Sequence, residues 1–316
     1  MNFPTIFFKI TSIKKDVMKI FQKIFFTVFL FIGITANAQD PQFSQFYANP
    51  LLLNPAFAGS AGCSRMAINL RSQWPNIPEN YKTVSISYDS NLDSINSGFG
   101  FNYIYDVAGN TLFTHMFNAF YAYNIRCSEN FIIKPALNFG MGFKSIDGSK
   151  FTPPVSFSSV NYFNVGAGVL LAYKNYTGGF AIDHLNEPDE GFESKSRLPM
   201  KFTAHASCLF NKNNKLKITP IIIFQKQLHF EELISMLLFN VTNIKFGAGC
   251  RTGFETPDCL IAMIGFRNNI ISIGYSYDYT ISKLSSANGG SHEISCIYKF
   301  NCKNKPVSFI VIPENY

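Results

Sequence analysis

The chain has 316 residues, of which 47% are apolar, 16% aromatic and only 15% charged; soluble domains carry about 25% charged residues. Low charge combined with many Phe and Tyr suits a protein that meets lipid. Residues 1–38 hold five Lys and one Asp, and the remainder, with 22 basic and 19 acidic residues, is nearly balanced, so the net charge of +7 does not describe the basic stripe of a nucleic-acid-binding surface.

The chain opens on a secretion signal. Lys19 and Lys23 precede the apolar run Ile24–Ile34, and Ala36-Asn37-Ala38 follows as an A-x-A cleavage site. Residues 1–38 are therefore assigned as a signal peptide, with Met18 as an alternative start that gives an ordinary length. The apolar run has 11 residues, whereas a spanning helix needs about 20. The residue directly after the cleavage site is Gln39 and not Cys, so no lipid anchor is expected there. No later stretch is long and apolar enough for a transmembrane helix. An exported chain of strand patterns points to the outer membrane, because only helices and closed barrels satisfy every backbone polar group in lipid.

Residues 39–64 follow. Pro41, Pro50 and Pro55, with the Asn49-Pro50 and Asn54-Pro55 pairs, rule out a central strand. Phe43, Phe46, Tyr47, Phe57 and Leu51–Leu53 rule out a solvated tail. The segment reads as an ordered plug or cap tucked into the periplasmic mouth of a barrel, or as a short helix lying across the barrel end.

Strand patterns run from 65 to 300. Met66, Ile68 and Leu70 alternate with Ala67, Asn69 and Arg71. After the Pro-punctuated loop Gln73–Pro78, which holds Trp74, alternation settles over Val84–Tyr88, Phe99–Tyr105, Phe117–Tyr123, Leu137–Phe143 and Phe163–Tyr173. Further candidates are Tyr176–His184, Met200–Asn211, Lys215–Gln227, Glu231–Val241, Thr242–Arg251 and Cys259–Arg267. The clearest pair closes the series. Ile271, Ile273, Tyr275, Tyr277, Tyr279 and Ile281 alternate with small polar residues, and His292, Ile294, Cys296, Tyr298 and Phe300 alternate with Glu293, Ser295, Ile297 and Lys299. Successive strand side chains point to opposite faces, so one face suits lipid and the other a lumen. The predicted fold is all-β, a transmembrane outer-membrane barrel of about 14 antiparallel strands, with a tail at 301–316.

Gly98 and Gly100, Gly140 and Gly142, Gly166 and Gly168, and Gly247 and Gly249 share the predicted lumen face. Either another element fills part of the lumen or the wall of a narrow barrel curves strongly. Of the seven Cys, Cys250 and Cys259 flank one predicted turn, and Cys296 and Cys302 are near neighbours. Both pairs are candidates for bonding in an exported chain; the alternative is that Cys packs in the wall as a small hydrophobe.

Four places in the sequence carry residues that could do chemistry. Trp74 suits the membrane interface better than ligand stacking. Glu187, Asp189, Glu190 and Glu193 form an acidic loop, more simply a solvated surface than a cation site. His292 and Cys296 imitate a zinc-helix spacing, but four positions on a strand span about 13 Å, too far to share a metal. Gly290-Ser291-His292 is the local candidate for a lipid hydrolase, and turn chemistry accounts for it. No catalytic, cofactor-binding or metal residue is assigned, and no cofactor is expected.

Two stretches carry more than pattern. Leu53-Asn54-Pro55-Ala56-Phe57-Ala58-Gly59 with Gln73-Trp74-Pro75 resembles the start of the PorP/SprF family of type IX secretion system membrane proteins. Gly274–Leu284 followed by Gly289–Ser295 resembles that family's terminal signature, and Ser97–Gly100 and Ala181–Asn186 fit more loosely. The resemblance implies a barrel similar to FadL-like channels, working without catalysis in the type IX machinery of the Bacteroidota. It implies as partners other type IX components, periplasmic peptidoglycan-linked proteins, or a large secreted surface adhesin of the gliding type, besides outer-membrane lipid. The possible N-terminal extension, the extra Cys and the apolar tail Val307–Pro313 depart from the family pattern. The rival readings are a FadL-like channel for a hydrophobic solute and a lipid hydrolase using Ser291 or His292.

Overall fold

A computed structural model of the chain describes residues 40–211, 214–253, 257–281 and 288–300. The predicted signal peptide 1–38 and tail 301–316 lie outside the described residues. The strands are β1 (Ser64–Gln73), β2 (Tyr81–Leu92), β3 (Ser97–Ala108), β4 (Leu112–Tyr123), β5 (Ile125–Ser128), β6 (Phe131–Ile146), β7 (Val160–Tyr173) and β8 (Tyr176–Asp183). They continue as β9 (Lys201–Cys208), β10 (Leu216–Gln227), β11 (Phe230–Val241), β12 (Ile244–Gly253), β13 (Pro257–Arg267), β14 (Ile271–Thr280) and β15 (Ser291–Phe300).

Apart from β4 and β5, strands that follow one another in the chain pair antiparallel, and β1 pairs with β15 from Ser64↔Phe300 to Gln73↔Ser291. β4 pairs with β6, which closes the sheet. β5 is not an extra stave. Ala122 lies opposite Ala136 and Ile125 opposite Ile133, so β5 continues β4 in the same register. The ladder breaks at the position facing Pro135, which has no N–H to donate. The barrel therefore has 14 staves, as the pattern predicts. No helix among the described residues is long and apolar enough to cross a membrane.

The alternation falls as read. On β1, Met66, Ile68 and Leu70 are exposed while Ala67, Asn69 and Arg71 are buried. On β14, Ile271, Ile273, Tyr275 and Tyr279 face out, and Ser272, Ser276 and Asp278 face in. Ring pairs such as Tyr103 with Phe117, at 4.8 Å, and Phe239 with Phe246, at 5.1 Å, tie adjacent strands on the outer face.

The two ends differ. At one, the links are 93–96, Glu129-Asn130, Lys174-Asn175, 209–215, Thr242-Asn243 and 268–270, none longer than seven residues. At the other lie the long connections 147–159, 184–200 and 281–290, with 74–80 and the short links 109–111, 228–229 and 254–256. Outer-membrane barrels place short turns in the periplasm and longer loops outside. The ends are called here the turn end and the loop end.

Candidate functional site

The interior is where this barrel differs from an empty cylinder. Residues 43–60 are buried almost throughout, with Ser44, Gln45, Ala48, Asn54, Ala56 and Ala58 fully so. The segment was expected at the periplasmic mouth or as a helix across it. Instead it runs the length of the lumen, with only two 3-10 turns, Pro50–Leu52 and Pro55–Phe57. The Asn54 side chain caps the second by accepting from the Ala56 N–H at 2.9 Å.

At the loop end it meets a buried ionic cluster. The Ser44 and Gln45 backbone N–H groups donate to the two oxygens of Glu293 at 2.8 and 3.1 Å, and the Ser44 hydroxyl donates to Asp278 at 2.6 Å. Arg71 pairs with Asp278 at 2.8 Å and Glu293 at 3.2 Å. Arg251 lies 3.4 Å from Asp278 and 3.5 Å from Glu232, and also donates to the Ser44 hydroxyl at 3.0 Å. These charges come from β1, β11, β12, β14 and β15. Buried ion pairs are costly unless hydrogen bonds support them, and here Ser44 and Gln45 supply such bonds to Asp278 and Glu293.

Along the middle, Gln45 exchanges bonds with Ser276, Ser295 and the Glu293 carbonyl, and Tyr47 donates to Gln45 at 2.9 Å. The Tyr47 ring receives the Lys245 ammonium 3.4 Å from its centroid. Asn54 donates to the Val169 and Phe180 carbonyls and lies 3.2 Å from His205 Nε2, and Phe57 packs on the His205 ring. At the turn end, Lys134 donates to the Ala58 carbonyl at 2.5 Å and Gly59 N–H donates to Asp89 at 3.0 Å. Asp89 in turn holds Arg65 at 2.8 Å. A crevice between segment and wall, beside Phe46, Leu53, Ile223 and Ile234, holds about 40 Å³, room for a few waters.

The glycines sort into two groups. A Cβ on Gly98 would collide with the Ala58 carbonyl, on Gly168 with Asn54 and Pro55, and on Gly274 with Gln45 and Tyr47. These three make way for the segment. Gly140, Gly142, Gly166 and Gly247 make way instead for wall side chains, namely Asn118, Tyr162, Asp183 and Leu238.

The other sequence candidates do not converge. Ser291 is buried while His292 turns to the opposite face, where it bonds the Tyr275 hydroxyl at 2.8 Å. Cys296 is exposed, four positions further along β15. Trp74 stands at the loop end, edge-on to Tyr81 at 5.6 Å. In the acidic loop, Glu190 pairs with Lys144 and Glu187 with Arg197. Asp189 accepts the Ser196 and Gly191 N–H groups at 2.9 and 3.1 Å, which hold its carboxyl below the usual carboxylate range. Of the loop's acids, Asp189 and Glu187 are used within the loop and Glu190 ties it to β6. Cys250 and Cys259 are both free thiols and do not bond. Cys259 faces Arg251 rather than Cys250 in the ladder, so the two thiols fall on opposite faces of the wall. Cys63 is disulfide-bonded and Cys296 is free; Cys302 lies outside the described residues.

A model of the type IX secretion system membrane proteins PorP/SprF matches residues 35–298. The chain belongs to this family. No curated protein matches it. Among solved structures it is similar in fold to the Ralstonia pickettii toluene transporter TbuX, with 11% identity and a TM-score of 0.51 over 80% of this chain and 94% of that one. The P. putida toluene transporter TodX is similar at 10% identity and a TM-score of 0.50, with the same coverage. This PorP/SprF protein is thus an outer-membrane β-barrel of FadL-like architecture. Sequence reading had the barrel and the family but missed the ionic cluster. Its signal was present: Arg71, Arg251, Glu232 and Glu293 all occupy inward parity in strands, where an unpaired charge would be costly.

Proposed function

We propose that this protein is a non-enzymatic component of the type IX secretion system that supports the secretion or surface attachment of a partner protein, a large secreted adhesin of the gliding type, by binding it. Family membership supports the secretion role. The observation that carries binding over conduction is the lumen occupied by residues 43–60 and tied to the wall at both ends. With the interior engaged, the surfaces left for partners are the two mouths: the loops 74–80, 147–159 and 184–200 outside, and the short turns toward peptidoglycan-linked proteins and other type IX components. Residues 1–38 act in this reading as the export signal, and residues 41–60 act as a plug.

A second reading is a channel for a hydrophobic solute, favoured by the fold shared with two proteins named as toluene transporters. It requires residues 43–60 to leave the lumen. The test is deletion of the gene followed by mass spectrometry of surface and culture proteins. Loss of one or a few large exported proteins supports a cargo-specific partner. Loss of all type IX cargo supports a core part of the machine. An unchanged exported set, with impaired uptake of a small aromatic hydrocarbon, moves the function to the channel.

A further inference from the structure

The sheet closes through β4 and β6, and β5 is left below that closure, bonded on one side. It pairs with β6, and among the described residues no strand lies beyond it. β3, which flanks β4, starts at Ser97 opposite Tyr123, and before Ser97 the chain turns through Asp93–Ile95 instead of continuing the strand. The last rung to that side is the Asn124 N–H, which donates to the Asn96 carbonyl at 2.7 Å. The Asn96 N–H bonds back to the Asp93 carbonyl, so the Asn124 carbonyl is not answered from there. Backbone groups of a paired strand alternate between its two sides. Asn124 bonds toward β3 and Ile125, opposite Ile133, toward β6, so the Arg126 N–H faces the open side. All four residues of β5 are exposed.

A closed barrel leaves no sheet edge, and an open edge is not tolerated in the hydrocarbon region, where nothing satisfies its backbone groups. β5 lies past the ladder break at Pro135 and runs into the link Glu129-Asn130, so its edge looks onto the periplasm at the turn end. An unpaired edge is a template for one more strand. The missing partners are a backbone donor and a backbone acceptor, which indicates an extended peptide as the ligand. Ile125 shares the outward, exposed parity of Tyr121 and Tyr123, so an apolar side chain suits the place beside it. The bulge between Arg126 and Ser128 ends the edge and limits the added strand to a few residues. Two copies joined edge to edge over four residues fall far short of the roughly 1,200 Å² that a stable interface buries, which favours a partner with further contacts of its own.

We propose that the free edge of β5 is a strand-addition site, at which a periplasmic partner protein docks a short extended segment with an apolar side chain beside Ile125. This rests on the reading above that the protein works by binding partners, and it gives one of them a backbone geometry.

The test uses the full chain, folded in detergent, with a fluorescein-labelled peptide of alternating Thr and Val and anisotropy as the readout. Folding of each variant is checked by the heat-dependent shift of the barrel band on a gel. Arg126→Pro takes away the edge N–H and leaves the bonds of β5 to β6, since proline is accepted where a strand's N–H faces outward. The expected result is saturable binding to the parent that falls by about tenfold or more in Arg126→Pro. Arg126→Gln, which keeps the N–H and loses the charge, binds as the parent does. The same peptide N-methylated along its length keeps every side chain, loses its N–H donors and does not compete. If Arg126→Pro does not fold, the N-methylated competitor decides on the parent alone. Absence of binding to the folded parent overturns the proposal, as does equal binding by parent and Arg126→Pro. Competition by the N-methylated peptide overturns it, since the site then reads side chains, and an equal loss in Arg126→Gln overturns it in favour of a charge site. Binding that appears only after removal of residues 301–316 gives the edge to the chain's own tail, and a parent dimer that Arg126→Pro dissociates gives it to a second copy; either result overturns the proposal. The outcome separates from the secretion reading. Failed peptide binding with cargo lost on gene deletion removes the edge site alone, and peptide binding with the exported set unchanged removes the secretion role alone.

Discussion

Arg71 is the residue on which the loop-end cluster turns, since it bridges Asp278 and Glu293 while both carboxylates also hold Ser44. Removing one partner from a buried charge network leaves the others uncompensated, at about 3–5 kcal/mol. Arg71→Ala should therefore destabilise the folded barrel by roughly that amount in urea unfolding, with Arg251→Ala of similar sign and smaller size because its contacts are longer. A backbone test lies at Gly98. A Cβ there meets the Ala58 carbonyl, and its neighbour Gly59 sits at a φ of +69° that favours glycine. Gly98→Val should displace the end of the segment, and protease cutting between residues 41 and 60 of the otherwise folded protein measures it. Parent-like protection in that variant would mean the close approach is not needed.

The element that gives this barrel its character is the N-terminal segment, and its amino acids show both why it was noticed and why it was placed too shallowly. Its prolines excluded a strand, and its Phe, Tyr and Leu excluded a tail. Nothing local states how far it runs, because its partners are spread through the chain, from Asp89, 30 residues from Gly59, to Ser295, 250 residues from Gln45. The loop 184–200 differs in that its turn is tied by contacts of its own, those of Asp189 with Gly191 and Ser196. Asp189 organises it, and its depressed pKa gives a sign. The native contribution is present above the ordinary carboxylate range and is lost as pH falls through the lowered value. Amide exchange at Ser196 should be slow at neutral pH and speed up on acidification below that range, and Asp189→Ala should be fast at both. Equal exchange in parent and variant at neutral pH would remove Asp189 from that role.

At the scale of the molecule, two solvents act on one sheet. The outward wall is apolar along its staves, with Phe101, Phe117, Phe139 and Phe163 all exposed on neighbouring strands, and it belongs in lipid. An Arg at the membrane midplane costs about 2–4 kcal/mol. Phe139→Arg, in the middle of β6, should lower barrel stability in lipid by roughly that amount, whereas Phe192→Arg on the loop should change it little. Equal effects at the two positions would place the lipid belt elsewhere. The inward wall is polar, and at the loop end its charges pair with one another and with Ser44 and Gln45 of the segment.

The sequence by itself determined the strands, their faces and their number, because a period of two in hydrophobicity records which side of a wall each residue takes. It also determined the family, because Gly274–Ser295 and Leu53–Gly59 are continuous in the chain. The tertiary structure decided everything that depends on closure: that β1 meets β15 and β4 meets β6, that β5 prolongs β4, and that Cys250 and Cys259 face apart. It alone brought Arg71, Glu232, Arg251, Asp278 and Glu293 around Ser44. The physical reason is that parity fixes the face a residue points to, while the partner it meets across the lumen depends on register summed around the whole ring.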